Sequence, residues 1–292
     1  MPIDRPTLEA AIKASGGAEQ PADQLDGLLA KLLALEATGR YGALLKGLAA
    51  SNDKSNFLAQ LLESTFAHQF EAVGMPLDYE VKQVADQTSS IDFMLKANTG
   101  DAVYFELRLL QQGKAVADDI AKQLADGNTY VAAMNGEDEQ DEILRLQNIV
   151  LSKVESKGKP IKFVRTGDGV VNIVVVCISD ILLGTPDVQD CLLATYGDPE
   201  VPAECRRDVF GLFQSLTAEY PEHIQKAAAN FAHIKATVHA VLFLFKPQGA
   251  GVLDYSLQQV LVWNRSLTTN VQALPLAEQF AKALPVLEAS QK

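Results

Sequence analysis

The sequence predicts a mixed α/β fold: a β-sheet flanked by helices, with an N-terminal helical extension over residues 1–50 and the α/β domain, with C-terminal additions, over residues 51–292. Three observations carry this. The patterns along the chain run helix, strands, helix, then further strands with helical crossovers. Two short apolar runs, Ile173–Ile178 and Ala240–Phe245, have the length of buried central strands. Finally, 48% hydrophobic against 21% charged residues in a chain of 292 allows a sizeable core and excludes global disorder.

Taken in order, Leu25, Leu28, Leu29, Leu32, Leu33 and Leu35 recur near a helical period, and Gly39 offers a stop. A second helical piece covers Tyr41–Ala50. From Asn56 to Val73 the apolar stripe Phe57, Leu58, Leu61, Leu62, Phe66, Phe70 predicts an amphipathic helix, with Asn56 as N-cap and Gly74 as the stop. Glu63 falls at the edge of that stripe. Three strands follow: Leu77–Val84, then a run alternating through Ile91, Phe93 and Leu95, then one alternating through Val103, Phe105, Leu107 and Leu109. The last two flank the turn formers Ala97–Asp101 and should pair as an antiparallel hairpin. With its turn centred on Thr99, Asp92 lies opposite Glu106, and the apolar residues all point to the other face. Beyond the hairpin, helices are expected over Ala115–Ala125, Glu142–Val154, Glu204–Ala218, Glu222–Lys235 and Leu276–Leu284. A loop is expected over Ala194–Glu204, and strands over Ile173–Ile178, His239–Phe245 and, at an edge, Leu253–Val262.

Several function classes are excluded early. No apolar run approaches the ~20 residues of a membrane-spanning helix. The stretch Met1–Arg5 lacks the marks of a signal or transit peptide, so a soluble, cytoplasmic protein is expected, with no membrane partner. Cys177, Cys191 and Cys205 form no CxxC pair and read as free thiols. The four histidines have no metal-ligand spacing, and the common phosphate-loop, dinucleotide and serine-hydrolase motifs are absent. Twenty-five basic against 37 acidic residues give a net charge of −12, so any nucleic-acid contact must be local. Residues 143–165 carry that local excess: Arg145, Lys153, Lys157, Lys159, Lys162 and Arg165 against the single acid Glu155. The same residues also read as a charged helix and loop offsetting the acidic run 137–142.

Chemistry concentrates in the hairpin. Two carboxylates face to face cost stability unless a cation compensates. Asp92 and Glu106 are such a pair; Arg108 lies two residues on, and Glu63 supplies a third acid. A helix with an acid, a strand with Ile91–Asp92, a hairpin, and then Phe105-Glu106-Leu107-Arg108 followed by a helix resemble the core of the PD-(D/E)XK nuclease-like superfamily, over roughly Asn56–Ile178. The resemblance implies a restriction-endonuclease-like core and a nucleic-acid phosphodiester hydrolase using Mg²⁺ or Mn²⁺. Asp92 and Glu106 would be the metal-binding carboxylates and Glu63 the auxiliary acid on the helix. Ile91 stands where a proline is common, and Arg108 stands where the motif has lysine. Arginine stays protonated, so Arg108 can stabilise phosphate but is a poor base. A lysine from elsewhere would then be needed, and Lys122 on the following helix is the nearest in sequence. The alternative is a catalytically inactive nuclease-fold protein that binds or regulates, with Arg108 pairing with both acids in place of a metal. A plain polar sheet face, a helix-surface Glu63 and a solvated Lys122 are the structural alternatives. A protein partner or a second copy of the chain is left open.

Overall fold

The computed structural model describes residues 3–287 except 86, 88, 112–138, 157–158, 181–185, 198–209, 216–221 and 248. Four helices come first: α1 Arg5–Ala14, α2 Ala22–Ala37, α3 Gly42–Ala49 and α4 Lys54–Ala72. Then follow β1 Leu77–Val81, β2 Ile91–Lys96 and β3 Ala102–Gln111. Helix α5 Glu139–Val154 leads into a small hairpin, β4 Glu155–Ser156 and β5 Lys159–Pro160. Strand β6 Val170–Asp180 is followed by α6 Val188–Tyr196, α7 Glu222–Asn230 and α8 Ala232–Thr237. Last come β7 Ala240–Phe245, β8 Gln258–Trp263 and α9 Asn270–Ala283.

The main sheet has the order β1-β2-β3-β6-β7-β8. It is mixed: β1, β2 and β3 are antiparallel, β3, β6 and β7 are parallel, and β8 returns antiparallel at the edge. The apolar runs expected to be central are central. Val174, Val175 and Val176 of β6 and Val241, Leu242 and Phe243 of β7 are fully buried, because helices cover both faces there.

Two cores lie on the two faces. One joins α1–α4 and α9 to Phe93, Leu95, Val103, Phe105 and Leu107. The other joins α5, α6 and residues near Phe210–Phe213 to Tyr104, Val174, Val176 and Phe243. The hairpin register is Phe93↔Phe105, Met94↔Tyr104, Leu95↔Val103 and Lys96↔Ala102, so its turn is centred on Thr99 as the sequence predicts.

Some expectations need correction. Helix α4 starts two residues early, and its N-cap is Asp53, whose carboxylate accepts the Asn56 N–H at 2.9 Å. Residues 194–196 close helix α6, started by a capping box between Asp187 and Asp190, instead of opening a loop. Residues 210–215 are turn and loop, not helix. The face opposite Phe93 and Phe105 is not a bare polar face, because Tyr104 and Glu106 are buried under the second helical layer. Ile91 breaks the alternation and packs in that second core. The helix expected over Ala115–Ala125, with Lys122, lies outside the described residues. Among the described residues no helix is long and apolar enough to cross a membrane.

Candidate active site

Helix α4 is locked onto the hairpin by aromatic rings. Phe66 meets Phe93 and Phe105 at centroid distances of 5.6 and 5.4 Å, and Phe70 meets Phe105 at 5.6 Å. Edge and tilted contacts of this kind add to area burial, and they orient the helix. Glu63, one turn before Phe66, is thereby carried to the acids of the hairpin. Its Oε2 accepts the Tyr79 hydroxyl at 3.0 Å. Burial, then the Asp92 charge, push the Glu63 carboxyl up to about 8, and Glu106 adds a smaller push in the same direction. Burial first, and then the Glu63 carboxylate, raise Tyr79 above the usual phenol range.

Asp92 lies one residue beyond the end of the β2–β3 ladder, past the Phe93↔Phe105 pair, and close enough to Glu106 to feel its charge. There its Oδ2 accepts the Leu107 N–H at 2.6 Å, so the side chain takes over a backbone hydrogen bond of β3. Burial and then Glu106 push its carboxyl up to about 6; the Lys153 ammonium and the Leu107 N–H pull the other way. Glu106 is only 1% exposed.

The cations on Glu106 are two lysines. Lys153 Nζ, in the last turn of α5, lies 2.7 Å from Oε1, and Lys162 Nζ, in the loop before β6, lies 3.0 Å from Oε2. The Lys162 contact is an ion pair without hydrogen-bond geometry, which leaves Oε2 buried with no hydrogen-bond donor. Lys162 also donates to the Ser90 carbonyl. Arg108 does not pair with the acids as the inactive alternative expects: it is exposed and ion-pairs with neither. The reason is positional. The lysines reach Glu106 from the layer above the sheet, and β3 carries Arg108 one alternation further, out to solvent.

Of the six cations read as a surface patch, Lys153 and Lys162 therefore turn inward. Lys159 and Arg165 are exposed, and Lys157 lies outside the described residues. The clustering of basic residues over 143–165 was the one signal that could have pointed to the two lysines. Tyr79 gave no signal beyond a place in a loosely alternating strand.

The raised carboxyl of Glu63 thus stands near Asp92, and two lysine side chains lie on the oxygens of Glu106. Among the described residues no three Asp, Glu, His or Cys side chains stand close enough together to hold one ion. A hard divalent cation needs only one or two carboxylates, with water and substrate oxygens completing its shell. Asp92 and Glu106 supply that smaller donor set, and Glu106 Oε2 accepts no hydrogen bond although Lys162 Nζ lies 3.0 Å from it. No family model, curated protein or solved structure matches this chain.

Proposed function

We propose that the chain is a Mg²⁺- or Mn²⁺-dependent nucleic-acid phosphodiester hydrolase on a restriction-endonuclease-like core. The observation that carries the reading is geometric: the Asp92 carboxylate is bound to the Leu107 N–H next to the buried Glu106, whose two oxygens meet Lys153 and Lys162. Asp92 and Glu106 would hold the cation, and Glu63 would act through water. A bound divalent cation would supply a hydroxide nucleophile and neutralise phosphate charge.

Lys153 supplies what Arg108 cannot. Its ammonium lies within 2.7 Å of Glu106, where it can orient a water or a non-bridging phosphate oxygen. Arg108, exposed beyond Glu106 on β3, remains available to the phosphate backbone, as do Lys159 and Arg165. A cytoplasmic location accords with Cys177 and Cys191 being buried thiols and not disulfides.

The test is cleavage of single- and double-stranded substrates with Mn²⁺. Glu106→Gln and Asp92→Asn should abolish turnover, and Lys153→Ala should cost about 10²–10⁴-fold, the usual worth of a positioned acid–base group. Arg108→Lys should change it little. A second reading is favoured by one observation: both Glu106 oxygens already face ammonium groups. In that case the chain is an inactive binding or regulatory protein, and neither Mn²⁺ binding nor cleavage occurs.

A further inference from the structure

Lys162 reaches the acids from a loop, and a loop lysine ordinarily keeps its rotamer freedom and its water. This loop is held at several points. The Val154 carbonyl accepts both the Ile161 N–H at 2.9 Å and the Lys162 N–H at 3.3 Å, so the residue after Lys153 is tied directly to the backbone of Lys162. The β4–β5 hairpin closes the span between them. The Ser89 hydroxyl donates to the Ile161 carbonyl at 2.9 Å. The Arg165 N–H donates to Gln83 Oε1 at 3.2 Å, and Gln83 is itself buried and bonded to Asn172 Oδ1 at 2.7 Å.

Between these anchors sits Phe163, with φ +54 and no exposed surface. A left-handed backbone is sterically unfavourable for a bulky L residue and persists only where the surroundings impose it. Here the ring is seated in the second core with Ile91, Val154 and Val170. The chain turns so that this ring enters the core while the preceding side chain meets Glu106.

We propose that Phe163 is a positioning residue of the acid site: its buried ring and left-handed backbone hold Lys162 on Glu106 as a fixed second cation. The consequence for catalysis rests on the hydrolase reading; the positioning itself does not. With both ammonium groups fixed, a phosphate entering beside Glu106 meets two oriented donors and not one.

Nitrogen-15 spectra of the lysine ammonium groups in the full chain test this, because a sheltered, paired ammonium exchanges slowly enough to give a signal. Signals from Lys153 and Lys162 are expected in the wild type, distinguished from that of the paired Lys31 by Lys153→Arg and Lys162→Arg. Phe163→Gly accepts the backbone angle but lacks the ring; it should lose the Lys162 signal and keep that of Lys153. Phe163→Leu, which restores an apolar anchor, should recover it. Should the glycine variant not fold, Ser89→Ala removes one loop anchor and should speed exchange at Lys162 several-fold, with Lys153 unchanged. A Lys162 signal absent from the wild type overturns the proposal, as does one indifferent to Phe163→Gly or, failing that, to Ser89→Ala. Phosphodiester cleavage measured in parallel separates the two ideas. If the signals respond and no variant turns over, the positioning stands and the hydrolase reading falls; turnover with an unresponsive signal is the reverse.

Discussion

Glu106 combines near-complete burial with two ammonium partners, an arrangement that is costly to break from one side. Truncating one member of a buried ion pair leaves an uncompensated charge, which costs roughly 3–5 kcal/mol. Glu106→Ala should therefore lower the unfolding free energy measured by urea titration by that order, whereas Arg108→Ala, at an exposed position, should leave it nearly unchanged. The acids also set a pH dependence. The folded-state carboxyl of Glu63 is raised from an ordinary 4.5 to about 8, and that of Asp92 from 3.8 to about 6. A raised acid binds its proton more tightly in the folded chain, so its contribution is fullest below the unfolded value and is lost as pH rises through the folded one. Thermal stability measured in chelator should fall from about pH 5 to 9, and Glu63→Gln should flatten the upper part of that fall. A Tm that climbs over the same range would contradict the placement of Glu63 among the acids.

Element by element, legibility followed the range of the contacts. The hairpin register was readable because a turn centred on Thr99 and the alternation Val103, Phe105, Leu107 are local patterns, and the observed ladder follows from them. The ladder itself closes at Phe93↔Phe105, and beyond it the Asp92 carboxylate turns onto the Leu107 N–H. The lysines were not readable as partners, since Lys153 lies 47 residues from Glu106 in the chain and meets it only through packing of α5 on the sheet. Helix α6 was hidden by Gly197, Pro199 and Pro202, turn formers just beyond its end, whereas its Asp187–Asp190 capping box was the available cue. Helix α4 offers an element-scale prediction. Removing its cap with Asp53→Ala should cost about 1 kcal/mol and spare the site, since Glu63 lies more than two turns inside the helix. Phe66→Ala, which opens the aromatic cluster beneath Glu63, should cost about 3–5 kcal/mol and weaken Mn²⁺ binding as well.

Over the whole molecule, a net charge of −12 sets a field that repels nucleic acid, and the two best-placed cations of the basic run are spent on Glu106. Binding of an oligonucleotide should therefore be weak in the absence of divalent cation and strengthen when a cation neutralises the acid pair. The mixed sheet suits such a site. The antiparallel hairpin brings the acids together at β2 and β3, while the parallel neighbour β6 and the helix α5 before it bring the lysines in from above. The most direct measurement is calorimetric titration of Mn²⁺ into the full chain and into Asp92→Asn. The wild type should take up the cation at a site that the substitution removes; a wild type that takes up none, or an Asp92→Asn that binds as well, would contradict the account.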